Sequence, residues 1–115
     1  MNAALPIAVE PAVAQLRALA NPARLGILLT LLAGERSVAA LEAALGLRQP
    51  NLSQHLGELR EAGLVVARRE ARAVIYALAD DAARRLAASL VQGFGGAAVP
   101  PPGPVAAFAT AGGSA

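Results

Sequence analysis

The amino-acid sequence predicts a mainly α-helical domain of the α+β class with one β-hairpin, in the order α-α-α-α-β-β-α. Apolar residues recur at three- and four-residue steps through the first half of the chain, which is typical of amphipathic helices. The period changes to two between 64 and 78, where two β-branched runs flank a charged centre. We expect a flexible N-terminus over 1–9, a folded domain over 10–92, and a disordered tail rich in glycine, proline and alanine over 93–115.

The first two helices carry prolines where a helix begins. Pro11 suits the first turn of a helix over roughly 10–20. Asn21 and Pro22 form an N-cap and a first-turn proline, so a second helix is predicted from there to about 33. This second helix is apolar on several sides, and we expect it to be the most buried element.

The third and fourth helices predict a helix-turn-helix unit. Ser37 can cap a third helix that ends at Gly46, and a fourth helix begins near Pro50 and ends at Gly63. The apolar positions of the fourth helix fall within a narrow arc that should face the core: Leu52, Leu56 and Leu59. Two such helices joined by a glycine-containing turn are typical of the motif.

A β-hairpin is predicted directly after the fourth helix, and it would form a wing. Two β-branched runs, 65–66 and 74–76, surround the sequence RREAR. We expect three arginines at the tip of this hairpin: Arg68, Arg69 and Arg72. Asp80 or Asp81 can cap a last amphipathic helix. The predicted fold is therefore a winged helix-turn-helix.

Polar side chains concentrate at the start of the fourth helix, on the side away from its leucines. In helix-turn-helix proteins this part of the second helix enters the DNA major groove. Asn and Gln side chains can pair with adenine edges, and arginines can contact phosphates. The candidate DNA-binding residues are Arg48, Gln49, Asn51, Ser53, Gln54, His55, Arg68, Arg69 and Arg72. Three alternatives stay open: packing or capping by His55, ordinary surface roles for Asn51 and Gln54, and solvation of the hairpin edge by its arginines.

Composition excludes several classes of function. The chain has no cysteine, so disulfides and thiolate metal sites are ruled out. Its net charge of +2 is too small to indicate nucleic-acid binding without a favourable placement of the charges. No paired carboxylates, activated nucleophile or phosphate-binding loop suggests an enzyme, and no metal or cofactor site is predicted. Without a signal peptide or a spanning segment, the chain is expected to be cytoplasmic and free of membrane contacts.

Four stretches in order resemble the ArsR/SmtB family of winged helix-turn-helix transcriptional regulators. They are LANPARLGIL, SVAALEAALGL, QPNLSQHLGELREAGLV and RREARAVIYAL, and the resemblance covers roughly residues 16–78. It implies a repressor that binds a palindromic DNA operator. It also implies that this repressor is a homodimer whose interface is formed by the first and last helices. The residues we expect at that interface are Val13, Leu16, Ala83, Leu86 and Leu90. The alternative that Ala83, Leu86 and Leu90 pack only within the monomer stays open.

The chain departs from the family at its sensing sites. Metal sensors of the family carry a Cys-x-Cys motif where this chain has Ser37-Val38-Ala39, and the last helix offers Asp80 and Asp81 without a histidine. The resemblance therefore implies switching by a separate sensor protein, by an organic molecule or by an atypical metal site. Ala71 replaces the usual glycine of the wing turn, so we expect a longer loop there. The alternative function is a winged-helix module for protein interaction that does not bind DNA.

Overall fold

The computed structural model describes residues 4–96, and these form a winged helix-turn-helix domain. The helices are α1 (Val9–Leu19), α2 (Pro22–Leu32), α3 (Val38–Leu45), α4 (Asn51–Glu61) and α5 (Asp81–Gly93). The strands are β1 (Arg36–Ser37), β2 (Val65–Glu70) and β3 (Ala73–Leu78). The predicted fold class is confirmed, and β1 is an element that the prediction lacked. The tail expected over 93–115 falls largely on residues 97–115, which lie outside the described residues, as do residues 1–3.

Three helices begin at the side-chain caps that the sequence predicts. Asn21 Oδ1 accepts a hydrogen bond from the Arg24 amide at 3.0 Å, and Ser37 Oγ accepts one from the Ala40 amide at 3.0 Å. Asp80 Oδ1 accepts one from the Ala83 amide at 2.9 Å, so Asp80 rather than Asp81 caps α5. Each cap satisfies a backbone donor that has no partner within its helix.

Helix α2 is the centre of the hydrophobic core. Its residues Ile27, Leu28, Leu31 and Leu32 are buried, and it contacts the other four helices of the described region and β3. No other element of residues 4–96 contributes as many buried residues, so the prediction for this helix is confirmed. Leucines from α3, α4 and the segment after α4 complete the core around it: Leu41, Leu52, Leu56, Leu59 and Leu64.

The sheet is antiparallel and has the strand order β1-β3-β2. Ser37 of β1 pairs with Ile75 of β3, and Ile75 pairs on its other side with Arg68 of β2. Strand β1 has only two residues, which is too short for an alternating pattern to appear in the sequence. The strand attaches the start of α3 to the sheet, so the helix-turn-helix and the wing share one continuous framework.

The wing turn is shorter than expected. Glu70 pairs with Ala73, so only Ala71 and Arg72 connect β2 and β3. Ala71 has φ 55°, in the left-handed region that favours glycine. The expectation of a longer loop is therefore wrong, because alanine adopts this conformation at a cost of about 1–2 kcal/mol. A tight turn holds the tip of the hairpin in a defined position.

No helix within residues 4–96 is both long enough and apolar enough to cross a lipid bilayer.

Candidate nucleic-acid interface

The turn between α3 and α4 sets the direction of α4. Gly46 ends α3 with φ 66°, and its amide donates to the Glu42 carbonyl at 2.9 Å. A short connection follows, and α4 begins at Asn51. A left-handed residue at this place lets the chain leave the helix sharply, as in many helix C-caps. The predicted helix-turn-helix geometry is present.

Helix α4 turns its leucines inward and its polar residues outward. Leu52 and Leu59 are 0% exposed and Leu56 is 1% exposed. On the other side of the helix, Asn51, Ser53 and Gln54 are exposed, as are Arg48 and Gln49 just before it. Neither Asn51 nor Gln54 makes a side-chain hydrogen bond within residues 4–96. Their amides are therefore accessible to a partner that approaches the N-terminal half of α4.

Gln49 and Ser53 bond to each other. The Gln49 Oε1 atom accepts a hydrogen bond from the Ser53 amide at 3.2 Å and a second, short one from the Ser53 hydroxyl. The side chain of Gln49 therefore caps α4, a role that its position before Pro50 did not reveal. Its NH₂ group still has two donors to offer, whereas the Ser53 hydroxyl already donates its proton.

His55 lies on the flank of α4 that faces α2. Its Nδ1 atom is 3.4 Å from Nη1 of Arg24, whose Nε donates to the Ala18 carbonyl. The imidazole is half-buried. This contact favours the packing alternative for His55, because a neutral Nδ1 can accept a hydrogen bond from the guanidinium.

All three arginines of the wing are exposed, but they lie at different distances from its turn. Arg72 lies in the turn, and Arg69 pairs with Val74 in the second pair from the turn. Arg68 pairs with Ile75 and lies one position further from the turn than Arg69, so it is set back from the tip where it was predicted. Its Nη1 is 2.7 Å from Oε2 of Glu35, and this bond, followed by the bonds to Glu70, raises the pKa of Arg68. Glu35 is 33 residues away in sequence, and no local pattern indicates the pair.

The residues predicted for the dimer interface divide into two groups. On α1, Leu16 is 53% exposed and Val13 is 38% exposed, and both lie on one stripe with Val9. On α5, Leu86 and Leu90 are half-buried. Ala83 is 3% exposed within the single chain and belongs to the hydrophobic core, so little of its side chain is available to a second subunit. It lies one turn after the Asp80 cap, where α5 packs against the body of the domain.

A metal site is not apparent from the side chains. Within residues 4–96, no three His, Cys, Asp or Glu residues come close enough together to hold an ion. Asp80 is engaged as the cap of α5. Ser37 and Val38 instead line a cleft of about 480 Å³ between α3, the wing and Gln49.

These features define a winged helix-turn-helix regulatory protein. A family model described as "Bacterial regulatory protein, arsR family" matches residues 21–66. The chain is 51% identical over 84 residues to the HTH-type transcriptional regulator CmtR of Mycobacterium tuberculosis, over 72% of this chain and 71% of that protein. The chain therefore belongs to the arsR family of bacterial regulatory proteins.

Two further comparisons agree with this membership. The chain is 57% identical over 75 residues to the biofilm growth-associated repressor of Agrobacterium fabrum, over 65% of this chain and 64% of the repressor. The alignment thus spans just under two thirds of that relative's length. A solution NMR structure of a homodimeric winged helix-turn-helix DNA-binding domain from Mycobacterium bovis has a TM-score of 0.69. It is 38% identical, over 76% of this chain and 80% of that one.

Proposed function

We propose that this protein is a transcriptional repressor that binds a palindromic DNA operator, with α4 in the major groove. One observation carries the proposal: Asn51 and Gln54 are exposed and unbonded on the face of α4 opposite its buried leucines. Amides in this position can pair with the N6 and N7 atoms of adenine. The repressor and regulator names of the relatives support the same function.

Phosphate contacts would fix the position of α4 in the groove. Arg48 is exposed just before the helix, and the N-terminus of α4 adds a partial positive charge beside it. Arg69 and Arg72 lie at the outer end of the wing, where they reach phosphates or the adjacent minor groove. Gln49 can donate its NH₂ group to a phosphate while its oxygen caps α4. The affinity should therefore fall steeply with salt.

The repressor would act as a homodimer. The apolar stripe of Val9, Val13 and Leu16 leaves a large hydrophobic surface on α1. Leu86 and Leu90 on α5 extend the surface available to a second subunit. A twofold dimer would place the two α4 helices about one DNA turn, ~34 Å, apart on two half-sites.

Switching would depend on a separate sensor protein or an organic molecule, because the chain has no cysteine for thiolate sensing. Titration calorimetry of the isolated protein with zinc, nickel and cadmium tests this part. We expect no binding tighter than micromolar. Nanomolar binding of any of these ions would show that the protein senses the metal itself.

Gln54→Ala tests the reading face, with Gln92→Ala on α5 as a matched control. The DNA targets are a duplex from the promoter of the protein's own gene and a random duplex of equal length. We expect Gln54→Ala to weaken promoter binding by about tenfold or more, since a lost bidentate base contact costs about 1–3 kcal/mol. Binding to random DNA should change by less than about twofold. Equal losses on both duplexes would show that Gln54 does not read bases.

A further inference from the structure

We propose that Glu35 is a positioning residue for the wing and holds it through Arg68 at the angle that brings Arg69 and Arg72 to DNA. This inference rests on the proposed DNA-binding function and deepens it. In this proposal Arg68 supports the wing, whereas the sequence pattern predicted that Arg68 contacts DNA.

The geometry of the sheet brings Glu35 and Arg68 together. Ser37, Ile75 and Arg68 are paired neighbours, so their side chains share one face of the sheet. Glu35 lies two residues before Ser37 and therefore projects to the same face. Its carboxylate reaches across β3, and Oε2 comes within 2.7 Å of Arg68 Nη1.

The ion pair lies at the base of the part of the wing that projects from the domain. The row of Ser37, Ile75 and Arg68 is the outermost row in which all three strands take part. Beyond it only two pairs of the two-stranded hairpin remain, and then the turn. A two-stranded ribbon is weakly constrained by itself. An ion pair at the base of this hairpin therefore influences the positions of Arg69 and Arg72.

Arg68 is suited to this task because its guanidinium bonds in two directions. While Nη1 binds Glu35, Nη2 and Nε lie 3.2 and 3.3 Å from Glu70 Oε2 on the same strand. The planar fork of arginine keeps such contacts in fixed relative positions. Because Arg68 belongs to β2, its bond to Glu35 connects this strand with the segment between α2 and β1.

Without a positioning role, the negative charge of Glu35 would only weaken DNA binding. Glu35 is 9% exposed, and within residues 4–96 its Oε1 atom is buried without a hydrogen-bond partner. A buried carboxylate is tolerated mainly when a cation compensates it. Its negative charge near the wing also repels phosphates. Simple electrostatics therefore predicts tighter DNA binding when this charge is removed, and positioning predicts weaker binding.

The test compares Glu35→Gln with Glu70→Gln in the full-length protein. Both substitutions remove one carboxylate bonded to Arg68, but Glu70 lies on the wing itself and does not connect it to the body. Affinities for the promoter duplex and for random DNA are measured by fluorescence anisotropy. Exchange of the hairpin amides with deuterium is measured on the free protein. Arg68→Met and the double variant Glu35→Gln/Arg68→Met complete a double-mutant cycle. This cycle measures the coupling between Glu35 and Arg68.

We expect Glu35→Gln to weaken binding to both duplexes by about five- to tenfold, because wing phosphate contacts are independent of sequence. In the Glu35→Gln variant, the hairpin amides should exchange with deuterium about tenfold faster than in the unsubstituted protein, whereas the exchange of the α2 amides should be unchanged. Glu70→Gln should not weaken binding. In the Arg68→Met background, Glu35→Gln should cause no further loss.

Three outcomes would overturn the proposal. Tighter DNA binding by Glu35→Gln would show that the carboxylate acts only by its charge. Unchanged exchange of the hairpin amides would show that the ion pair does not hold the wing, and this measurement needs no DNA. Equal losses for Glu35→Gln and Glu70→Gln would remove the special role of Glu35. Failure of the unsubstituted protein to bind DNA would instead refute the proposed function, and the exchange data would still test the support of the wing.

Discussion

Substitution of Arg69 by glutamine tests whether the wing contacts phosphates. Arg69 is exposed, lies opposite Val74 and makes no ion pair within residues 4–96. Glutamine keeps most of the length and polarity of the side chain and removes the charge. The free energy of unfolding should therefore change by no more than about 0.5 kcal/mol, as for ordinary surface substitutions.

The expected effect follows from counterion release. Each neutralised phosphate contributes about 0.9 to the slope of log K against log salt concentration. The proposed homodimer would carry two copies of Arg69, so Arg69→Gln should reduce the magnitude of the slope by about 1.8. Over a fourfold change in salt concentration, from about 50 to 200 mM, the ratio of the DNA affinity of the unsubstituted protein to that of Arg69→Gln should then change by roughly tenfold.

Fluorescence anisotropy at four or five salt concentrations measures the slope directly. Arg85→Gln is the matched control, because Arg85 is exposed on α5 and belongs to neither α4 nor the wing. Its slope should equal that of the unsubstituted protein. If Arg69→Gln also leaves the slope unchanged, Arg69 does not neutralise a phosphate and serves only to solvate the hairpin.

Two other predictions concern the turn of the wing and the dimer. Ala71→Gly should stabilise the protein by about 0.5 kcal/mol, since relief of the left-handed alanine exceeds the entropy cost of glycine. Thermal unfolding should then move upward by a few degrees, and a downward shift would contradict the turn geometry. Leu16 is exposed, so Leu16→Glu should leave the fold intact. It should convert the proposed dimer to monomer, because a carboxylate would be buried at the proposed interface. Light scattering measures the mass, and an unchanged dimer would place the interface elsewhere.

Periodic and capping signals allowed much of the fold to be predicted from the sequence. Leu52, Leu56 and Leu59 repeat at helical spacing, so the orientation of α4 followed from geometry alone. Asn21 and Ser37 occur directly before apolar helical stretches, where a short polar side chain can accept from a free amide. Such signals are local and depend on few neighbours.

The features that the sequence did not reveal depend on contacts between distant residues. Glu35 is a single charge after α2, and only the assembled sheet brings it to Arg68. Ala83 has the same helical spacing as Leu86 and Leu90, and which side of α5 meets the core depends on how α5 packs. Tertiary packing decides each of these cases.

Ser37 belongs to two elements at once, and this limits how the protein can vary. It is the last residue of β1, paired with Ile75, and also the N-cap of α3. Insertion of one residue before it would move Glu35 to the opposite face of the sheet or shift the first turn of α3. The connection from α2 to α3 should therefore not tolerate a change of length, unlike most surface connections. Natural variants with a longer or shorter segment here would need a compensating change in the wing.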